Sequence, residues 1–391
     1  MRHFEDNLRA AVEDLARAAP PMNDMAVVAR IRGRRIRRRR QAVTGAAVML
    51  LAGAVITPYA VLDGHRDGQR PQPVDSVPTS KAPAVPLPSG PVTVPAIRAD
   101  WWKAPIELPG GVVVTSVSRP NTYNDDGTPT FTGDTPRDGN VALNRLTGRY
   151  QVFPVKYQVF EAAPKGHYVL VEDESMAGGY VPVGIVDAAY NGAQVLTHGS
   201  GLGTEWSPDG KKVALTTSLG NLRIIDAKSV TEKEREIPGG RELCPDTCTF
   251  TWLPGSKEVA LPQRDPDVAE SESVPDTIKE IKVFSAATGK LLRTLPIPGV
   301  PTGSAAWSPD GRYVALRPDA TAPDGTRIAE VATGRVVTTL PRAGQVRFLA
   351  DDQVLALNGL DVTVYDLTGT VRATSRLPAD FNNREVSLGI S

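Results

Sequence analysis

Trp206-Ser-Pro-Asp-Gly-Lys-Lys-Val-Ala-Leu215 is repeated further along as Trp307-Ser-Pro-Asp-Gly-Arg-Tyr-Val-Ala-Leu316. Trp252-Leu-Pro-Gly-Ser-Lys-Glu-Val-Ala-Leu261 is a third copy, and Phe348-Leu-Ala-Asp-Asp-Gln-Val-Leu-Ala-Leu357 aligns with them without a gap. Ala162-Ala-Pro-Lys-Gly-His-Tyr-Val-Leu-Val171 is a degenerate fifth. Successive copies start 44, 46, 55 and 41 residues apart. A period in the forties is the signature of propeller blades, each a four-stranded sheet.

Each period also carries a strand–turn–strand pattern. Six can be read, over 141–153, 183–196, 222–237, 281–295, 327–340 and 362–377. Four of the turns hold Thr-Gly, at Gly148, Gly289, Gly334 and Gly369, where glycine supplies the positive φ that a tight hairpin needs. Six hairpins between residues 97 and 391 imply six blades of about 49 residues. Inside the motif, Pro208 and Asp209 fit a type I turn closed by Gly210, and Pro309, Asp310 and Gly311 repeat it. Val213 and Leu215 alternate inward on the strand that follows, and Trp206, Trp252 and Trp307 wedge between adjacent blades. The roles of these motif residues are structural. Recurrence in a turn motif argues against Asp209 and Asp310 forming a catalytic or metal set. Residues 110–118 and 384–390 both read as strands, so one blade should combine the two ends of the domain.

Trp-Ser-Pro-Asp-Gly followed by an apolar strand resembles the repeats of TolB-like and WD-repeat-like β-propellers, over about residues 97–391. The Trp-Asp dipeptide and Gly-His start of true WD repeats are missing, so the TolB-like branch fits better. The resemblance implies a binding platform, usually for proteins. It carries fold further than function.

The chain has 391 residues, with 44 Lys+Arg and 44 Asp+Glu, a net charge of zero. A neutral total argues against a nucleic-acid binder. Thirty-five Gly and 34 Pro, nearly one residue in six, argue against a helical bundle. The balance is uneven: residues 1–40 hold 11 Arg and 5 Asp+Glu, a net of +6, leaving −6 for the remainder. Residues 42–62 are 21 residues without a charge, enough for a helix of about 30 Å across a bilayer. Eight arginines crowd residues 30–40, among them Arg35, Arg37, Arg38, Arg39 and Arg40, and the first charge after the apolar run is Asp63. Positive charge stays on the cytoplasmic side, so the N-terminus is expected inside and the propeller outside. Ala52-Gly53-Ala54 would fit a cleaved signal peptide. The long charged leader and the apolar run beyond that site favour an uncleaved signal anchor.

Within the arm 1–41, Phe4, Leu8, Val12 and Leu15 make one apolar face of a short helix ended by Pro20-Pro21. It reads either as a docking helix for a cytoplasmic partner or as a solvated topology signal. Eight prolines between residues 66 and 96 make 63–96 an extended Pro-rich linker, which holds the outer domain up to about 90 Å from the membrane. Arm, anchor and stalk resemble membrane proteins that actinobacteria encode beside alternative sigma factors. The His-x3-Cys-x2-Cys site of the zinc-containing class is absent.

Cys244 and Cys248 fall outside the membrane in this topology, where a disulfide is the default and a pair of free thiols the other reading. The acidic insertion 264–280 reads as a solvated loop, with a calcium or partner loop as the other reading, and Asn124-Asp125-Asp126-Gly127 reads as a turn. His167 and His198 lack paired spacing, and Ser200 and Ser207 lack a nucleophile-elbow context. No cofactor, resident metal or nucleic acid is expected. The fold class is therefore an all-β six-bladed β-propeller at 97–391, preceded by a short cytoplasmic helical arm, one transmembrane helix and a Pro-rich linker. The expected function is non-enzymatic: a cell-membrane protein whose outer propeller face binds a protein or envelope ligand, with the arm signalling to a cytoplasmic partner such as a sigma factor. The competing class is an extracytoplasmic hydrolase or lactonase with a metal in the central channel.

Overall fold

In Lys212–Thr217, alternation places Val213 and Leu215 on one face and the small Ala214 on the other. Both faces are buried. Val213 and Leu215 pack with Leu170 and Ile185 of the preceding repeat, whereas Ala214 packs with Trp252 and Val259 of the following one. Alternation here separates two neighbours rather than core from water. A strand buried on both faces forces its sheet to sit between two others, and repetition of that arrangement closes a ring.

The computed structural model describes residues 92–93, 97–119, 135–154, 157–173, 183–189, 192–195, 201–217, 220–239, 249–269, 276–318 and 325–391. Among them the strands form six sheets, the blades of a six-bladed β-propeller. Blade 1 holds Glu107–Leu108, Val112–Val117, Asn140–Asn144 and Arg149–Phe153. Blade 2 holds Tyr157–Ala162, Tyr168–Asp173, Val183–Asp187 and Gly192–Val195. Blade 3 runs from Gly201–Trp206 through Lys212–Thr217 and Leu222–Asp226 to Thr231–Arg235. Blade 4 runs from Thr251–Trp252 through Glu258–Arg264 and Ile278–Ser285 to Leu291–Leu295. Blade 5 has Tyr313–Leu316, Gly325–Glu330 and Val336–Pro341. Blade 6 has Gln345–Ala350, Gln353–Asn358, Asp361–Asp366 and Val371–Arg376. All six hairpins expected from the sequence are the last two strands of their blades.

The ring closes as expected, by pairing the two ends of the domain. Val386–Ile390 runs antiparallel to Val112–Val117, with Val386 opposite Val117 and Ile390 opposite Val112. Arg384 secures the junction: its guanidinium donates to the carbonyls of Ser118, Pro136, Arg137 and Gly139. Burial lowers its pKa to about 10, against the opposing pull of Asp138 and Asp380. The seam is capped by Trp101, whose ring centroid lies 4.7 Å from Phe381 and 5.5 Å from Tyr150. A further contribution comes from inside the stretch read as linker, because Val92–Thr93 pairs parallel with Ala373–Thr374 at the edge of blade 6.

Blade 5 departs from the pattern. The place of its innermost strand is taken by a 3₁₀ turn, Ser304–Ala306, held at either side by single bridges, Pro301 to Leu316 and Trp307 to Val314. Among the described residues no helix is long and apolar enough to cross a membrane. The arm 1–41, the segment 42–62 with its preceding arginines, and the linker apart from Val92–Thr93 lie outside the described residues.

Candidate functional site

The residue just before the start of each repeat sits at the inner end of its blade. These residues are Glu161, Glu205, Thr251, Ala306 and Arg347. Three of the five are ionisable. Glu161, Glu205 and Arg347 line a cavity of about 390 Å³, together with Phe160, Thr302–Ala305, Gln345, Val346 and the closing segment Glu385–Leu388. The lining comes from the inner edges of blades 2, 3, 5 and 6 and from the strand that closes blade 1. The cavity is thus built by the ring, and no single repeat contains it.

Glu205 is held from across the ring. Its Oε2 accepts the Ser304 hydroxyl at 2.9 Å and the Ser304 backbone N–H at 3.2 Å. Ser304 Oγ in turn accepts the Trp252 N–H at 2.9 Å, so one serine ties blades 3, 4 and 5. The 3₁₀ turn of blade 5 exists in the form this contact needs. Gly303 adopts φ +152°, and a Cβ there would lie 3.2 Å from Glu205 Oε1. Burial raises the Glu205 pKa, opposed by the two Ser304 hydrogen bonds and by Arg317. Among the described residues Glu161 has no such support from a side chain or an N–H. Burial first, then the negative charges of Glu205 and Glu385, push its carboxyl up to about 8. Arg347 is pulled down to about 10 by burial, and stays cationic at neutral pH. Its Nη2 donates to the Leu388 carbonyl at 2.7 Å, while its Nε is buried without a partner.

The motif residues lie at turns and at contacts between blades. Trp206 Nε1 donates to the Glu161 carbonyl and Trp252 Nε1 to the Glu205 carbonyl, each at 3.0 Å, bridging to the preceding blade. Trp307 is buried likewise, but its Nε1 has no partner. Asp209 Oδ1 accepts the Ser207 hydroxyl at 2.6 Å and the Lys211 N–H at 3.2 Å. Asp310 Oδ1 accepts the Ser308 hydroxyl at 2.7 Å and the Arg312 N–H at 3.0 Å. Both aspartates therefore pin their own turns. Pro208-Asp209-Gly210 and Pro309-Asp310-Gly311 close with Gly210 and Gly311 donating to the Ser207 and Ser308 carbonyls.

Of the other residues singled out from sequence, those that are described lie apart from the cavity lining. His167 pairs with Asp187 at 3.3 Å and packs on Tyr168. In the acidic insertion, Lys279 pairs with Asp267 at 3.2 Å and with Asp265 at 3.8 Å. Among the described residues no three His, Cys, Asp or Glu side chains converge to hold a metal ion. Cys244, Cys248, His198, Ser200 and Asn124–Gly127 lie outside the described residues. Sequence reasoning passed over Glu161, Glu205, Ser304 and Arg347. The available signal was the variability, Glu-Glu-Thr-Ala-Arg, of a position adjacent to the best-kept residue of the repeat.

Comparison with known proteins finds no family model and no curated protein that matches this chain. The fold and the cavity thus define a class of architecture, the six-bladed β-propeller, and the function has to be argued from the site.

Proposed function

We propose that this chain is a membrane-anchored propeller protein of TolB-like character that works by binding rather than by catalysis. In this reading residues 1–41 lie in the cytoplasm, 42–62 span the membrane and the propeller stands outside on its Pro-rich stalk. Its ligand is a protein or an envelope component, recognised where the central cavity opens. The observation that carries the reading is the cavity wall, where the ionisable side chains of Arg347 and Glu161 make no ion pair among the described residues. An ionisable group partly withdrawn from water and left without an ion pair lowers stability, so its retention favours a role in recognition. The arginines before residue 41 support the topology. The apolar face Phe4, Leu8, Val12 and Leu15 supports a second contact inside the cell, with a sigma factor as the partner that the actinobacterial resemblance names.

The test is crosslinked affinity capture from solubilised membranes, comparing the full chain with one lacking residues 1–40. The reading predicts an envelope partner captured by both proteins and a cytoplasmic partner captured by the full chain alone. Recovery of the full chain in the soluble fraction, with no partner at all, would overturn it.

A further inference from the structure

The central cavity is lined by acidic and basic side chains that do not meet. Among the described residues Arg347 makes no ion pair with Glu161, Glu205 or Glu385, and its guanidinium donates to the Leu388 carbonyl. Thr302 Oγ1, in the same lining, is also buried without a partner. The fold does not require charge at these positions. The equivalent residues of blades 4 and 5 are Thr251 and Ala306, and the ring is complete around them. A guanidinium and carboxyl groups partly withdrawn from water, as Arg347, Glu161 and Glu205 are, destabilise the fold unless they are compensated. A bound molecule with matching charges supplies that compensation.

We propose that the cavity binds a small zwitterion, an amino acid or short peptide whose carboxylate meets Arg347 and whose ammonium lies among Glu161, Glu205 and Glu385. This rests on the binding reading above and gives that site its ligand class. An anion alone would face three carboxylates, and a cation alone would face the guanidinium. A divalent metal is disfavoured by the spacing of the acids and by the two hydrogen bonds that already engage Glu205 Oε2. The volume of about 390 Å³ lies near the lower end of the range for ligand pockets, and suits a single amino acid or a dipeptide. An ammonium placed beside Glu161 would favour its ionised form against the opposing influence of Glu205 and Glu385, so binding near neutral pH should expel a proton.

The test is titration calorimetry of the full chain in detergent with alanine and alanyl-alanine. Alaninamide and N-acetylalanine, each retaining one of the two charges, serve as comparisons. The expected result is saturable binding of a zwitterion and weakening by about tenfold or more with either comparison compound. Arg347→Gln and Glu161→Gln should each weaken binding by a similar factor, and the heat should vary with the ionisation enthalpy of the buffer. Unfolding midpoints are measured alongside. Were Arg347→Gln to fail to fold, the comparison compounds on the native chain and Glu161→Gln would decide the matter. Absence of saturable binding at millimolar zwitterion, or equal binding of the singly charged compounds, would overturn the proposal. A captured envelope partner together with either of those results would overturn this ligand class and leave the binding reading standing.

Discussion

Replacing Glu161 by glutamine should stabilise the propeller, and increasingly so as pH rises. Glu161 is only partly exposed on the cavity wall, and burial with the charges of Glu205 and Glu385 raises its carboxyl from 4.5 to about 8. The unfolded chain holds that proton no more tightly than an ordinary carboxylic acid. Between the two values the folded state binds the extra proton, so stability falls as pH climbs through the interval. Each pH unit of the interval corresponds to about 1.4 kcal/mol, which places a ceiling of about 5 kcal/mol on the penalty above pH 8. Partial exposure to solvent screens the group and brings the expected penalty to about 2 kcal/mol. Glutamine keeps the shape and removes the charge. The assay is urea unfolding of both proteins followed by tryptophan fluorescence, near pH 5 and near pH 9; urea leaves ionic strength unchanged. The variant should exceed the parent by less than about 1 kcal/mol near pH 5 and by about 2 kcal/mol near pH 9. A difference that does not change with pH, or a less stable variant near pH 9, would refute the electrostatic account of the cavity.

Three further sets of substitutions probe the ring itself. Trp206→Phe and Trp252→Phe each remove an indole hydrogen bond to the preceding blade and should cost about 1 kcal/mol more than Trp307→Phe, whose N–H is unpaired, in the same unfolding assay. Gly334→Ala would place a Cβ 1.7 Å from the Pro296 carbonyl oxygen, whereas Gly148→Ala meets nothing within 4 Å; both adopt positive φ, so the first should lower the thermal midpoint clearly more than the second. Arg384→Met removes four charge-assisted contacts to carbonyls at the seam, and should lower stability by about 3 kcal/mol or more in urea unfolding.

Much of the fold was legible because a repeat has to solve the same packing problem several times. The Val-Ala-Leu core of the motif is the clearest case, with large side chains for one neighbour and a small one for the other. The Thr-Gly turns marked the outer hairpins, and two unmatched strands at the ends marked the closure. The alternation at Val213 and Leu215 was visible, but the burial of Ala214 follows only when a second blade lies on the other face. The cavity was not legible for a related reason. Glu161, Glu205 and Arg347 are spread over nearly two hundred residues, and Ser304 reaches Glu205 from 99 positions away. Only closure of the ring makes them neighbours. Motif reading also favours positions that stay constant, and the axis-facing position is the one that varies. Asp209 and Asp310 show the converse: prominent by repetition, they are occupied with the hydrogen bonds of their own turns.

The most direct test of the central claim, that the propeller recognises its ligand in the central cavity, is site-specific photo-crosslinking in intact cells. A photoreactive residue is placed at Ser387 on the cavity lining and, in a second protein, at Leu291, which is 53% exposed on the outermost strand of blade 4. Mass spectrometry then reads the adduct on each. The account predicts an adduct of defined mass at Ser387 and none at Leu291. An adduct at Leu291 with none at Ser387 would contradict it and move recognition to the outer rim.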